Sequence, residues 1–260
     1  MTNYPEYVKP SDGAKILGVE SKLFFYYAKK RNVRTKTGDG ERKTLYNYED
    51  LLKISKEIGR SQHAKTIIDW VRPSDVPATV ALDFVVYQEA IIADVNHYLS
   101  WVKKNPYISL ASFDTGERKN AYAYIAILPL PETIILDILR GNRSEMDVQA
   151  NEIETYDRSG AYHLLVESAV AHPDHPEQLG KVMNALADFW YNHYPERYID
   201  KIYAQSVSDK GDILIQKLYF AARYDIAETA FMLDFKRPGA SRFIRDFQQR
   251  IKGKSDAAMN

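Results

Sequence analysis

The stretch from Tyr162 to Phe220 constrains this 260-residue chain more than any other. The run His163–Val170 reads as a strand, and a polar turn from Ala171 to Lys181 follows, containing Gly180. The apolar periodic segment Val182–Tyr191 then reads as a helix, Ile202–Val207 as a second strand, and Lys210–Phe220 closes the stretch. Strand, Gly-containing turn and helix place a helix N-terminus beside a strand end. Free amides and the positive end of the helix dipole make that junction suited to an anion.

A chain of this length predicts two domains. Apolar residues make up 45% of it, enough for a sizeable core and against wholesale disorder. Cys is absent, which removes disulfides, thiolate metal sites and cysteine nucleophiles and agrees with a reducing cytosol. No run approaches the ~18 apolar residues of a membrane span. The longest candidate, Thr79–Val102, is interrupted by Asp83, Glu89, Asp94 and Asn96. The expectation is a soluble, cytoplasmic, nucleoid-associated protein with no membrane partner.

The net charge of zero hides a split. Residues 1–60 hold 13 Lys/Arg against 8 Asp/Glu, a net of +5, which leaves 22 against 27 for the rest of the 35 and 35. The excess peaks between Lys22 and Lys43, a pattern that suits a polyanion. The segment Pro10–Val19 reads as a short helix capped by Ser11 and ended at Gly18, with Ala14 and Leu17 inward. A second helix spans Lys22–Arg31, with Leu23, Phe24 and Tyr27 at inward spacing. Residues 32–46 read as a hairpin turning at Gly38 and Gly40, and helical spacing resumes at Tyr48–Ile54.

Ala14, Leu17-Gly18-Val19, Ser21, Leu23, Tyr27, the basic hairpin ending at Arg42 and Tyr46, and Asp50-Leu51 together resemble the winged helix-turn-helix of MerR-type regulators and phage excisionases, over about residues 5–58. That resemblance implies double-stranded DNA as partner and a two-fold operator read by a homodimer. It makes Lys22, Tyr26, Tyr27, Lys29, Lys30 and Arg31 of the helix, with Arg34, Lys36, Arg42 and Lys43 of the wing, the DNA-binding residues. The long dimerisation helix of MerR regulators does not follow, and without Cys metal sensing is not expected.

Beyond a polar hinge at 61–65, Thr66–Pro73 reads as a strand, and Asp75–Tyr87 and Gln88–Lys104 as helices, the second with a stripe of Ile91, Ile92, Val95, Tyr98, Leu99 and Val102. A hairpin over 108–128, a short helix at 131–139, the Tyr162 stretch, a last strand at Ala230–Phe235 and a helix at Ser241–Ile251 complete the chain, with a flexible tail at 253–260. The predicted class is α/β, an α+β mixed sheet with helices on both faces.

In that order, Val71-Arg72-Pro73 with Asp75, Trp101 with Asn105-Pro106, Ala123-Tyr124-Ile125 with Leu128-Pro129-Leu130, Ser168-Ala169-Val170 with Pro173, and Gly211 with Leu214 and Lys217–Phe220 resemble the GNAT acyltransferase superfamily over about residues 66–236. The predicted organisation is therefore a winged-helix domain at 1–60 and a GNAT-like domain at 66–252. The resemblance implies acetyl-CoA or another acyl-CoA as ligand, its pyrophosphate at the turn after the Tyr162 strand. The implied cofactor-binding residues are Val170, Gln178, Leu179, Gly180, Lys181, Ser206 and Ser208.

Two departures stand out. Aligned on Gly180, the family's Arg or Gln falls on Glu177 and its last small residue on Val182, and the tyrosine that protonates the leaving thiolate falls on Ile215. Glu167 is the one candidate for catalytic base, set against a reading as an outward strand residue.

No metal is expected. His172 and His175 sit in a Pro-containing loop without a third ligand at recognisable spacing, and no Gly-x-Ser-x-Gly, Walker-type or Gly-x-Gly-x-x-Gly motif occurs. The sequence thus leads to a DNA-binding transcriptional regulator, its GNAT-like domain degenerate and used for dimerisation or acyl-CoA sensing, with little or no enzyme activity. The alternatives are an active acetyl-CoA-dependent N-acetyltransferase targeted to DNA, and an excisionase-like accessory factor of a mobile element.

Overall fold

The computed structural model describes residues 6–17, 19–37, 44–62, 66–87 and 95–259, with side chains described for all of these except 56–62 and 256–259. The chain divides into two compact units, Met1–Lys65 and Thr66–Asn260.

The first unit is built from α1 (Pro10–Leu17), α2 (Ser21–Lys30), α3 (Tyr48–Gln62) and a sheet ordered β1-β3-β2, with β1 Tyr7–Val8, β2 Thr35–Thr37 and β3 Thr44–Asn47. Helix α1 begins at Pro10, one residue before the expected Ser11 cap, because a proline's fixed φ and missing N–H suit a first helical position. Phe24 and Leu51 are completely buried, and Ala14, Leu17, Tyr27, Ala28 and Val33 close around them. A Cβ at Gly13 would lie 2.4 Å from Phe24 Cε2, so only glycine lets α1 approach α2 this closely. Asn47 caps α3, its Oδ1 accepting from the Asp50 amide at 3.1 Å.

The second unit carries a seven-stranded mixed sheet ordered β4-β5-β6-β7-β8-β10-β9. Its strands are β4 Thr66–Trp70, β5 Ser109–Asp114, β6 Ala121–Pro129, β7 Gly160–Ala171, β8 Arg197–Gln205, β9 Ala221–Ala222 and β10 Ala230–Asp234. Its helices are α4 (Val76–Tyr87), α5 (Val95–Lys104), α6 (Glu132–Leu139), α7 (Glu177–His193), α8 (Asp209–Leu218) and α9 (Arg242–Met259). The mixed α/β class and the order of the main elements match the sequence reading. The two-residue β9 was not foreseen, being too short to show a period.

All pairings in this sheet are antiparallel except that of β7 with β8. The helices cover it on both faces. Residues of α4, α5 and α6 form one core with Ala111, Tyr124, Leu128, Leu165 and Tyr203, and α7 and Phe247 of α9 form the other with Leu110, Ile125, Tyr162 and Leu164. Strand β6 is buried along nearly its whole length, as a central strand covered on both faces must be.

One expectation is corrected. Residues 253–260 were read as a flexible tail after a helix ending at Ile251, yet α9 runs on to Met259. Lys254 Nζ donates to the carbonyls of Tyr191 and Asn192 at 2.9 and 3.1 Å, and Ser255 Oγ bonds Tyr194 Oη at 2.9 Å, which fastens that last stretch to the end of α7. The turn at 114–120 is also more than a connection. Arg118, buried and at φ 56°, reaches Asp69 Oδ2 at 2.5 Å, Asp75 Oδ2 at 2.7 Å and the Trp70 carbonyl at 2.7 Å, clamping the hairpin to β4.

Candidate active site at the parting of two parallel strands

Strands β7 and β8 run side by side from Gly160–Arg197 to Val166–Ala204 and then part. Strand β7 continues for five more residues, Glu167–Ala171, paired only with β6 on its other side. The parting coincides with a β-bulge. Ala126 of β6 faces Ser168 and Ile127 faces Val166, so Glu167 is the extra residue. A bulge re-aims the side chain it carries. The carboxyl ends of parallel strands, where the sheet opens, are where an α/β sheet receives a ligand.

Glu167 is therefore not an outward strand residue. Its Oε2 is sealed from solvent and makes no hydrogen bond among the described residues. Burial pushes its carboxyl well above the usual range, and the neighbouring carboxyls Glu145 and Asp83 push it further. Asp83, on α4, is pushed up to about 6 by burial, against the pull of the Tyr124 hydroxyl, which donates to its two oxygens at 2.7 and 2.6 Å. Burial alone pushes Glu145, in the turn at Glu145–Asp147, up to about 7. The phenols of Tyr98 and Tyr124 are raised by burial and by the charge of Glu167. Tyr98 is 3% exposed, and its sealed hydroxyl has the Ser109 hydroxyl as its neighbour, which tempers the rise of the phenol.

Among the described residues no Lys or Arg is found acting on Asp83, Glu145 or Glu167. The arrangement holds protons near neutral pH and can take one from a bound group that gives one up.

The expected cofactor residues fall at the two helix starts flanking the opening. At α7, Pro176 occupies the cap position and no side chain caps the helix; of the first-turn amides, that of Gln178 is used on the His175 carbonyl at 3.1 Å. A Cβ at the exposed Gly180 would meet nothing within 4 Å, and Lys181 is exposed beside it. Leu179 packs partly into the second core and Val170 is buried in the first, so Val170 offers backbone only.

Gln178 is corrected as a side-chain ligand. Its Oε1 accepts from Ser112 Oγ at 2.9 Å and from Thr66 Oγ1 at 3.3 Å, inside the fold, where no sequence period signals it. Its Nε2 holds Glu177 Oε1 at 3.0 Å, which draws that carboxylate aside. At α8, Ser208 caps the helix by accepting from the Gly211 amide at 3.1 Å, and Ser206 Oγ donates to Asp212 Oδ1 at 2.5 Å, so both hydroxyls are used within the fold. Ile215 is buried and supplies no proton; Tyr219 is exposed at the left-handed end of α8.

Among the described residues no group of three His, Cys, Asp or Glu is placed to hold a metal ion, and no helix is long and apolar enough to cross a membrane.

No family model matches this chain, and no curated protein matches it. Solved structures do. The loading GNATL domain of CurA from Lyngbya majuscula is 12% identical with a TM-score of 0.42, over 55% of this chain and 65% of that one. The GphF GNAT-like decarboxylase in complex with isobutyryl-CoA is 17% identical with a TM-score of 0.42, over 58% and 72%. Arabidopsis thaliana Naa50 in complex with the bisubstrate analogue CoA-Ac-MVNAL is 12% identical with a TM-score of 0.40, over 64% and 95%. The chain thus spans less than two thirds of the CurA domain. At these scores the likenesses assign no residue a role.

The expectation of a DNA-binding transcriptional regulator is corrected: the three structures are of two GNAT-like proteins and of one in complex with a CoA-containing analogue, and none is a DNA-binding regulator. The first unit shows why the basic run misled. Tyr27, expected on the DNA face, is 5% exposed and packs in that unit's core. Arg34 is spent on Asp50, with bonds of 2.9 Å to each carboxylate oxygen, and the Lys36 ammonium lies over the Tyr7 ring. Helix α2 exposes Leu23, Phe25 and Tyr26 among its cations Lys22, Lys29, Lys30 and the adjoining Arg31. Arg42 and Lys43 lie outside the described residues, as do the stripe positions Ile91 and Ile92.

Proposed function

We propose that the second unit is an acyl-CoA-dependent acyltransferase with Glu167 as general base. The carrying observation is the position of Glu167: the bulged residue at the point where β7 and β8 part, with a carboxylate oxygen sealed and unpartnered. The opening between the strands, the uncapped start of α7 and the clear space at Gly180 fit a thioester cofactor with an anionic tail. Such a cofactor supplies an acyl carbon activated by its bond to sulfur.

The residues of the chain do the rest. The edge of β7 at Glu167–Ala171 presents backbone groups for the cofactor's amides, and first-turn amides of α7 with Lys181 meet its phosphates. Glu167 accepts a proton as the acceptor's nitrogen bonds to the acyl carbon and the carbon–sulfur bond breaks. For an ammonium acceptor, one of the two protons released ends on the thiol and the other passes through Glu167 to solvent. Ile215 leaves the thiol to be protonated by water.

The test is calorimetric titration of acetyl-CoA into the full chain, followed by a thiol-release assay with amine acceptors. Saturable binding and turnover that Glu167→Gln abolishes support the reading. Absence of acyl-CoA binding, or turnover untouched by Glu167→Gln, overturns it.

The exposed cations of α2 support one addition, that the first unit carries the transferase to DNA or to a DNA-bound partner. Salt-dependent retention of the chain on DNA, lost with Lys22 and Lys29 replaced by Ala, is its check.

A further inference from the structure

Helix α2 turns a defined face to solvent. Phe24, Tyr27 and Ala28 point into the core of the first unit, while Lys22, Phe25, Tyr26 and Lys29 stand exposed on the other side. At 3.6 residues per turn, Lys22 and Lys29 fall on one line down the crest of that side, about 10 Å apart along the axis. Phe25 and Tyr26 sit midway between them, one on each shoulder. Their exposures of 49% and 40% are large for aromatic side chains, and the helix contains no acidic residue.

Both rings are held from beneath. Phe25 meets Phe24 and Tyr46 edge to face, with centroids 5.3 and 6.4 Å apart, and Tyr26 meets Tyr27 in the same way at 5.5 Å. The Lys30 ammonium lies 5.5 Å from the Tyr26 centroid. Rings held in this way lose little conformational freedom when something stacks on them. Exposed apolar residues alone are not the point. Phe84 and Val85 of α4 are 50% and 48% exposed, but α4 has no Lys or Arg, whereas on α2 rings and positive charge alternate turn by turn.

Three kinds of polyanion suit a basic face, and the arrangement separates them. An anionic bilayer takes a helix with its apolar residues in one strip and its cations on the opposite face. On α2 the cations hold the crest, so a bilayer would meet them first. Duplex DNA offers phosphates and base edges, its base faces being covered by stacking, and leaves the two rings without a partner. An unpaired strand offers phosphates for the crest lysines and uncovered base faces for the rings.

We infer that the outward face of α2 binds single-stranded nucleic acid, with bases stacked on Phe25 and Tyr26 and the flanking phosphates on Lys22 and Lys29. The inference stands apart from the acyltransferase reading. It rests on the nucleic-acid addition to that reading, which it narrows to an unpaired strand.

The experiment follows the fluorescence anisotropy of labelled oligothymidine and oligouridine of about 12 nucleotides as the full chain is added. A mixed-sequence duplex of the same length and poly-L-glutamate, a polyanion without bases, serve as comparisons. Binding of either strand at least about tenfold more tightly than the duplex is expected, and the tighter of the two names the sugar. Polyglutamate should not displace the strand at equal charge. Phe25→Leu and Tyr26→Leu keep apolar bulk and remove the ring, and each should weaken the strand at least about fivefold. Tyr26→Phe keeps the ring and should bind as the unaltered chain does. Replacing Lys22 and Lys29 together by Ala should lower the slope of log affinity against log salt by about 1.4, the share of two single-strand phosphates.

A duplex bound as tightly as the strand, equal competition by polyglutamate, or unchanged affinity in a ring variant folded by circular dichroism overturns the inference. The first two comparisons use the unaltered chain and decide the matter even where a variant fails to fold. Duplex preference that depends on Lys22 and Lys29 defeats the single-strand site and leaves the DNA tether standing. Absence of binding to any nucleic acid defeats both, and the acetyl-CoA titration reports on the transferase separately.

Discussion

Two polar clusters hang on the same pair of parallel strands, and they solve the problem of buried charge in opposite ways. Before the bulge, Glu132 of α6 accepts from Lys201 Nζ at 2.7 Å and from the Tyr203 hydroxyl, while His163 lies 3.8 Å from it. Asp200, 4.0 Å from the same imidazole, is paired with Lys236 at 2.8 Å. At the bulge, four residues on from His163, the buried Glu167 is acted on by the carboxyls of Asp83 and Glu145. The first cluster is compensated, and its bonds hold Glu132 below the usual carboxylate range. The second has no cation partner among the described residues, and all three of its carboxyls are raised. A fold keeps the first arrangement for its own stability and the second for something it binds.

The largest test of that contrast is Glu167→Gln. If the bulge cluster is functional, this change should lower acyl transfer by about 10²–10⁴-fold, the usual worth of a general base, without lowering the melting temperature. Stability should hold, since burial favours the neutral carboxyl of Glu167 and Gln replaces it with a neutral group of nearly the same shape. A variant that unfolds readily while its residual activity is normal would place Glu167 among the structural residues.

The pH dependence of stability should have opposite signs in the two clusters. Asp83 and Glu145 have folded values of about 6 and 7, above their ordinary 3.8 and 4.5, so the folded state holds more protons between those limits. Their stabilisation is complete below pH 4 and is lost as pH rises through 6 and 7, an effect on the order of a few kcal/mol. Glu132, depressed, contributes above its ordinary value of 4.5 and loses its contribution as pH falls below it. Urea unfolding at pH 5 and pH 8 should therefore show Asp83→Asn with Glu145→Gln flattening the loss toward alkaline pH. An unchanged slope in that double variant would mean the cluster is solvated.

Breaking the compensated cluster should cost stability and leave the chemistry alone. Glu132→Ala strands the Lys201 ammonium and the Tyr203 hydroxyl, a loss of about 1–3 kcal/mol by urea titration. A stability equal to that of the unaltered chain would show that water replaces the carboxylate freely.

How much of this was legible beforehand differs between scaffold and site. The strand, turn and helix from Tyr162 could be read because an apolar run and a 3.6-residue period are local signals, and they are found as β7 and α7. Glu167 was named from its place on that strand, while its burial was not, since a bulge arises from pairing with β6 and leaves no mark on one strand's alternation. Asp83 and Glu145 were missed altogether: they stand 62 residues apart in sequence and meet only because α4 and the turn after α6 pack over the same strands. In the first unit the reverse happened. A dense basic run was legible, but the Asp50 carboxylate that occupies Arg34 sits 16 residues downstream, beyond any local pattern.

The smallest effects come from two hydroxyls, and they separate the clusters most cleanly. Tyr203→Phe removes a donor to Glu132 and should destabilise by about 0.5–1.5 kcal/mol, because the carboxylate loses a bond it cannot replace from inside the fold. Tyr98→Phe removes a hydroxyl whose hydrogen-bonding neighbour is the Ser109 hydroxyl and not a carboxylate, so it should cost less than Tyr203→Phe. The two substitutions delete the same atom from residues buried to a similar degree, 1% and 3% exposed. Area and volume cancel in the comparison, and what is left is whether the hydroxyl works for the fold or for a ligand. Equal losses of stability from the two would mean that the Tyr98 hydroxyl, like that of Tyr203, is spent inside the protein.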